Sequence, residues 1–178
     1  MCDIESVNKI AKYLKVNAGK ISYNSDKVIT RSTKTENLSG FTSILNAIAR
    51  ESNVDCCKSI STDDKLQCLV YQWIEYAFLF VAPAAKNKHV AATMLKELNG
   101  HLSTRSYVAG STQLTVADLA IFFAIQPVMA TLSPSEKENY INISRWYNHL
   151  QLQNLIRQGS PLINFSTLHL HGATGGHA

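Results

Sequence analysis

What this chain lacks narrows its identity first. Its 178 residues hold four cysteines, Cys2, Cys56, Cys57 and Cys68, but no Cys-x-x-Cys pair, and its six histidines show no zinc-type spacing. A zinc module and a disulfide framework are therefore excluded as organising devices, and free thiols are the expectation. No apolar run reaches the length of a membrane span, because Cys68 to Ala85 is broken by Gln72, Glu75 and Pro83 and keeps helical periodicity. The first residues show no basic stretch followed by an apolar one, so no signal peptide is expected and the protein is expected in the cytoplasm. Internal repeats and long low-complexity blocks are also missing. The formal charge is only +4, and nine of the 17 basic residues precede residue 61. Lys9, Lys12 and Lys15 fall near one helical face with Lys20 just beyond, yet the aromatics that nucleic-acid modules interleave with such residues lie elsewhere. A solvated face is the simpler reading.

What is present is a complete helix start in the stretch from Gly110 to Phe123. Thr115 is placed as N-cap and Asp118 three positions on, so each side chain can bond the other's backbone N–H. Leu114 and Leu119 stand at the spacing of a hydrophobic staple around that box. The following helix, Val116 to Leu132, is apolar on nearly every side and belongs in the middle of a helical core. Pro127 is expected to kink or loosen its last turns.

Around this centre the rest of the chain reads as elements that pack on it. Ile4, Val7, Ala11 and Leu14 predict an amphipathic helix over residues 3–16, followed by extended segments near Lys20 to Tyr23 and Lys27 to Arg31 with Asn24-Ser25 as the turn. Ser39-Gly40 opens a second helix that buries Ile44, Leu45, Ile48 and Ala49. Asn53 to Ser61 is polar and reads as a linker. Thr62 or Asp63 caps a long helix with Leu66, Leu69, Val70, Trp73, Ile74, Ala77, Phe78 and Val81 on its apolar stripe, ending at Pro83. Residues 87–104 form another helix on Val90, Met94, Leu95, Leu98 and Leu102. Ser133, Pro134 and Glu136 are an N-cap, N1 and N3 set, and a last helix runs from about Ile143 to Gln158 and buries Ile143, Trp146, Leu150 and Ile156. His169, His171 and His177 lie in a Gly-rich tail that pre-organises no metal ligand set.

Three segments in order carry a family resemblance. Tyr107 to Phe123 (YVAGSTQLTVADLAIFF) resembles the capping-box segment of glutathione-transferase C-terminal domains, Tyr71 to Tyr76 (YQWIEY) their first long helix, and Ile141 to Leu150 (INISRWYNHL) a late helix carrying Arg-Trp. LNAIARE after Ser39-Gly40 resembles the last helix of the thioredoxin-like lobe. The resemblance implies an α+β, mostly helical, glutathione-transferase-like fold: a truncated thioredoxin-like lobe over residues 1–54, a linker at 55–61, an all-α C-terminal bundle over 62–158 and a flexible tail at 159–178.

Within that superfamily the chain resembles the accessory scaffolds of the multi-aminoacyl-tRNA-synthetase complex, through Leu38-Ser39-Gly40, Gln72-Trp73-Ile74-Glu75-Tyr76, Leu95-Lys96-Glu97-Leu98-Asn99, and Glu136-Lys137-Glu138-Asn139-Tyr140 with Ile143-Ser144-Arg145-Trp146 behind it. This implies a non-catalytic scaffold that docks the transferase-like domains of methionyl-tRNA synthetase and glutamyl-prolyl-tRNA synthetase, with elongation factor one subunits as further partners. It also implies cytosolic residence, with the nucleus as a second location. One docking face would use the helix at 41–52 and the outer sides of the helices at 63–81 and 87–104. The other would be anchored by Arg145 and bordered by Tyr147 and His149; an ion pair of Arg145 with Glu136 or Glu138 is the plainer alternative. Trp146 is read as core, and Leu114, Thr115, Asp118 and Leu119 as structural.

Transferase chemistry needs a group that lowers the pKa of the glutathione thiol and a backbone edge, behind a cis-proline, that pairs with the tripeptide. The matching place here is Val28-Ile29-Thr30, which has no proline, and the positions that would greet the γ-glutamyl group align with Gly40 and Phe41. Cys2 sits at a helix N-terminus, a setting that favours thiolate, but at the chain's start it is expected to be mobile. A small thiol transferase using Cys2 and a tRNA-binding module using the N-terminal Lys face stand as the alternatives. No cofactor is implied.

Overall fold

Asp3 and Ser6 bond one another's backbone at the start of α1 (Ile4–Tyr13): Asp3 Oδ1 accepts from Ser6 N at 2.9 Å and Ser6 Oγ from Asp3 N at 2.9 Å. This computed structural model describes residues 2–54, 57 and 62–165. The helix stops short of residue 16 because Lys15 turns left-handed at φ 56°, and Val16 N then donates back to Ala11 O at 3.0 Å.

Three strands follow, β1 (Lys20–Tyr23), β2 (Ile29–Ser32) and β3 (Asn37–Ser39), paired antiparallel in that order. The turn falls at Asn24 as the sequence predicts, and Asn24 Oδ1 accepts from Asp26 N and Val28 N. β3 is an addition to the sequence reading; only its pairing with β2 identifies three such residues as a strand. Alternation along β2 buries Ile29 and Arg31. Arg31 is satisfied there by Ala18 O, Asn17 O and both carboxylate oxygens of Glu51, at 2.6 to 3.0 Å. Glu51 closes α2 (Phe41–Glu51), whose inner face is Phe41, Ile44, Leu45, Ile48 and Ala49.

The linker expected at 55–61 lies outside the described residues except for Cys57, which is buried. Asp63 caps α3 (Asp64–Tyr76), accepting from Leu66 N at 3.1 Å. The helix does not end at Pro83. It widens into a π turn (Ala77–Val81) and continues as α4 (Ala82–Ala84), where the proline takes a position that needs no donor. The extra residue in the π turn rotates Phe78 off the apolar stripe, so Phe78, Leu79 and Phe80 are 44%, 54% and 53% exposed.

Asn87 caps α5 (Lys88–His101), and α6 (Val116–Thr131) follows. Every residue from Val116 to Ile125 is buried, which places this helix in the middle of the core. Val7, Ile10 and Leu14 of α1, Ile44 and Ile48 of α2, and Val70 and Ile74 of α3 join it in one contiguous apolar cluster. Pro127 lies on an exposed side of α6, and the helix runs past it to Thr131. Ser133 and Glu136 form the expected box at the start of α7 (Pro134–Asn139). The late helix is two pieces, α8 (Ile141–Gln151) and α9 (Asn154–Arg157), with Ile143, Trp146, Leu150 and Ile156 all buried as predicted. Beyond Gly159 the chain is held at least to Phe165: the Gln151 amide donates to Ile163 O at 2.8 Å and accepts from Ile163 N at 3.0 Å. His169, His171 and His177 lie outside the described residues. Among the described residues no helix is long and apolar enough to cross a membrane, and no group of side chains could hold a metal ion.

Candidate partner-binding surface

At Val28-Ile29, the stretch that the resemblance sets against the tripeptide edge of a transferase, most backbone groups are taken up by the chain's own hydrogen bonds. β2 is the central strand and has a neighbour on each side. Ile29 pairs with Tyr23, and its carbonyl accepts from Gly40 N at 2.9 Å. Val28 N donates to Asn24 Oδ1, and Asn24 N donates to Val28 O. Val28 N, Val28 O and Ile29 O are thus all engaged within the chain. Phe41 fills the adjoining position, stacked on Phe78 with ring centroids 6.0 Å apart. A cavity of about 390 Å³ survives beside them, lined by Cys2, Val28, Phe41, Glu75 and Phe78. Cys2 is not mobile as the sequence suggested: its thiol donates to Ala77 O at 3.5 Å. Burial pushes that thiol up to about 12, which leaves only roughly one part in 10⁵ as thiolate at neutral pH.

Asp118 is wholly buried at the head of α6, and the capping box with Thr115 is formed. Its Oδ2 accepts from Thr115 N at 3.0 Å and Thr115 Oγ1 at 2.8 Å, and its Oδ1 from Val108 N at 2.9 Å and Trp146 Nε1 at 3.1 Å. Burial drives this carboxyl above the usual carboxylate range while the four donors pull it back. Leu114 and Leu119 are both buried beside it. With every lone-pair direction occupied, the group is a structural knot that joins the 108 loop, α6 and α8.

That knot sets the orientation of α8 and so presents Arg145, which is exposed. Among the described residues Arg145 forms no ion pair with Glu136. Its Nη2 donates to Leu102 O at 2.9 Å and Arg105 O at 3.2 Å, carbonyls that the end of α5 and the loop after it leave open. The guanidinium is thus held in place at one nitrogen, and Nε and Nη1 make no hydrogen bond among the described residues. His149 lies one turn on and is exposed, with Nε2 3.5 Å from the Tyr107 hydroxyl. Tyr147 points the other way. At 2% exposure it stacks on Phe122 with centroids 4.5 Å apart, which removes it from the surface. Tyr147 stands two residues from each of Arg145 and His149, which at about 100° per residue turns it roughly 160° away from both. Tyr107 and Arg105 are the residues that lie beside His149 and Arg145 instead; their position follows from the α5 end and could not be read from the α8 motif.

A second face lies where α2 meets α3. Ser43, Asn46, Ala47 and Arg50 of α2 face Gln67, Cys68 and Tyr71 of α3 across a groove of about 510 Å³. Tyr71 is 49% exposed, and Asn46 Nδ2 is buried with no hydrogen-bond partner among the described residues. The groove and the small cavity at Cys2 share Ser43 in their walls.

The family described as "Nuclear-export cofactor Arc1p" matches residues 67–154. Human eukaryotic translation elongation factor 1 epsilon-1 is 31% identical over 121 residues, covering 68% of this chain and 67% of that protein. The GST-like domain of elongation factor 1-gamma from Saccharomyces cerevisiae superposes with a TM-score of 0.67 at 14% identity, over 90% of each chain. A chain from crystal structures of two binary sub-complexes of the yeast aminoacyl-tRNA synthetase complex gives a TM-score of 0.60 at 18% identity, covering 98% of this chain and 95% of that one. The fold is α+β, mostly helical and glutathione-transferase-like. The chain belongs to the eukaryotic translation elongation factor 1 epsilon-1 family.

Proposed function

We propose that this protein is a non-catalytic adaptor of translation that docks aminoacyl-tRNA synthetases through transferase-like domains of their own. The observation that carries the reading is Arg145, exposed and yet fixed by two carbonyls, with three N–H donors free to meet a partner. An arginine held in this way loses little conformational entropy on binding and suits a carboxylate or a planar group. Its face is the one for glutamyl-prolyl-tRNA synthetase or methionyl-tRNA synthetase, and the α2–α3 groove, with Tyr71 and the unpaired Asn46 amide, is the face for the other. Residues 1–54 serve as a truncated front lobe that supports α2, and 62–158 as the helical lobe that carries both faces. Cytosolic residence, with the nucleus as a second place, goes with this role.

Thiol chemistry at Cys2 is opposed by the protonated state of the buried thiol and by the engaged Val28-Ile29 backbone. A tRNA-binding face at the N-terminal lysines is weakened by Lys9, which pairs with Glu5 at 2.7 Å. The deciding experiment is size-exclusion co-elution at micromolar concentration with the transferase-like domains of methionyl-tRNA synthetase and glutamyl-prolyl-tRNA synthetase. Co-elution with at least one domain, lost on Arg145→Ala or on Tyr71→Ala, supports the reading; free elution of all three proteins overturns it.

A further inference from the structure

We propose that the cleft between α3, the end of α5 and the loop at 108–113 is a separate docking site for a short acidic segment of a partner protein, one that carries an aromatic or large apolar side chain. The cleft has a volume of about 720 Å³, within the range of preformed ligand sites. Its floor is apolar. Leu66, Leu69 and Trp73 follow one another at helical spacing along α3, and all three remain part-exposed. Trp73 is propped by His101, whose ring centroid lies 4.3 Å away.

His101 is neutral in this arrangement. Its Nε2 lies 2.7 Å from Val108 O, which can only accept, so Nε2 carries the proton. Its Nδ1 lies 3.3 Å from Arg105 Nη1 and therefore accepts. Burial pulls the pKa of the ring down in the same sense. The positive charge at this wall belongs to Arg105 alone.

Arg105 is held by Nη1, which also donates to His101 O at 3.1 Å, while Nε and Nη2 make no hydrogen bond among the described residues. Gly110 lies at the mouth with φ 72°, a conformation that favours glycine, and the Arg105 side chain packs beside it, 3.6 Å from where a Cβ would stand. Lys65 stands exposed on the opposite rim. Trp73 Nε1 makes no hydrogen bond among the described residues. The one carboxylate in the lining, Asp63, already accepts from Leu66 N at 3.1 Å.

An apolar floor under unengaged donors matches a flat or bulky apolar group next to a carboxylate. Two cations opposite one aspartate suit one or two carboxylates and not a phosphate chain, since nucleic-acid binding draws its strength from many neutralised phosphates. Arg145 is a close neighbour of this wall, since its Nη2 donates to Arg105 O at 3.2 Å. A linear segment extending from a domain docked at Arg145 would pass this mouth, but the cleft needs no such domain to bind.

The test is fluorescence anisotropy of a labelled Glu-Glu-Phe-Asp-Glu peptide titrated with the full chain, beside a Lys-Lys-Phe-Lys-Lys control and a labelled short single-stranded RNA. Saturable binding of the acidic peptide is expected, with a shift in Trp73 emission over a constant contribution from Trp146, which is 2% exposed. Lys65→Glu and Arg105→Ala should each weaken it about tenfold or more. Lys65 is exposed and makes no described hydrogen bond, so Lys65→Glu reads the charge without disturbing the fold. No saturation up to about 1 mM, equal binding of the basic peptide, tighter binding of the RNA, or indifference to Lys65→Glu would each overturn the proposal. Failure here leaves the synthetase co-elution untouched, and failure of co-elution leaves this titration readable.

Discussion

Trp146 Nε1 donates to Asp118 Oδ1 at 3.1 Å, a bond that joins α8 to the head of α6 inside a region closed to water. The same carboxylate holds the 108 loop through Val108 N, so one side chain positions both the Arg145 helix and the wall of the cleft.

Removal of that carboxylate should be severe. Asp118→Ala strands the N–H groups of Val108, Thr115 and Trp146, each a buried donor worth about 1–3 kcal/mol when left unpaired, so a loss of roughly 3–5 kcal/mol is expected by urea denaturation. Trp146→Phe removes one donor and some volume and should cost about half as much. If Asp118→Ala lost under 1 kcal/mol, the knot would not be the device that orients α8.

Glu51 offers a pH test. Its carboxyl is held below the ordinary 4.5 chiefly by the hydrogen bond from Arg31. A carboxylate with a lowered folded pKa contributes stability above its unfolded pKa and loses it as pH falls through the folded one. Glu51 is 45% exposed, so solvent screens the pair, and Glu51→Gln should cost only about 1–2 kcal/mol at pH 7. The gap between wild type and Glu51→Gln, measured by thermal unfolding, should be constant from pH 7 to about 5 and close at still lower pH. A gap that widened on acidification would contradict the assignment.

Local signals made most of the frame legible. Thr115 with Asp118, and Ser133 with Pro134 and Glu136, declare their helices within four residues, and both starts stand as read. The apolar run of α6 declared its own burial. What escaped depended on distant partners or on a shift in period. β3 exists only because Thr30 to Ser32 lie beside it, and the π turn at Ala77–Val81 moves Phe78 outward by a single inserted residue. Arg145 was legible as a motif, but its clamp on Leu102 and Arg105 lies 43 and 40 positions back. Tyr147 was misplaced because adjacency in sequence is not adjacency on a helix, and Arg105 was missed because nothing near it in sequence names its neighbours.

Arg145 should show two separable effects. Arg145→Ala frees the α5-end carbonyls and is expected to lower stability by about 1 kcal/mol, the worth of an exposed cap. Arg145→Lys keeps the charge but not the planar fork, so it should recover stability more than it recovers binding. Paired thermal melts and co-elution with the synthetase domains separate the two. Equal recovery of both by lysine would reduce Arg145 to a point charge.

The cysteines provide a chemical reading of the cradle. Cys68 is exposed on the α2–α3 groove, whereas Cys2 is buried, donates to Ala77 O and is pushed up to about 12. Alkylation needs access to the sulfur and proceeds through the thiolate, which burial suppresses at Cys2, so iodoacetamide at pH 8 should label exposed Cys68 well before Cys2, by about 100-fold or more. Peptide mass spectrometry over a time course gives both rates. Cys2→Ser keeps a donor to Ala77 O and should leave stability and synthetase co-elution unchanged. Labelling of Cys2 first, together with retention on immobilised glutathione that Cys2→Ser abolishes, would mean that the cradle still binds and activates a thiol ligand. In that case the hydrogen bonds at Val28 and Ile29 would have to open, and the scaffold reading would give way to an enzyme.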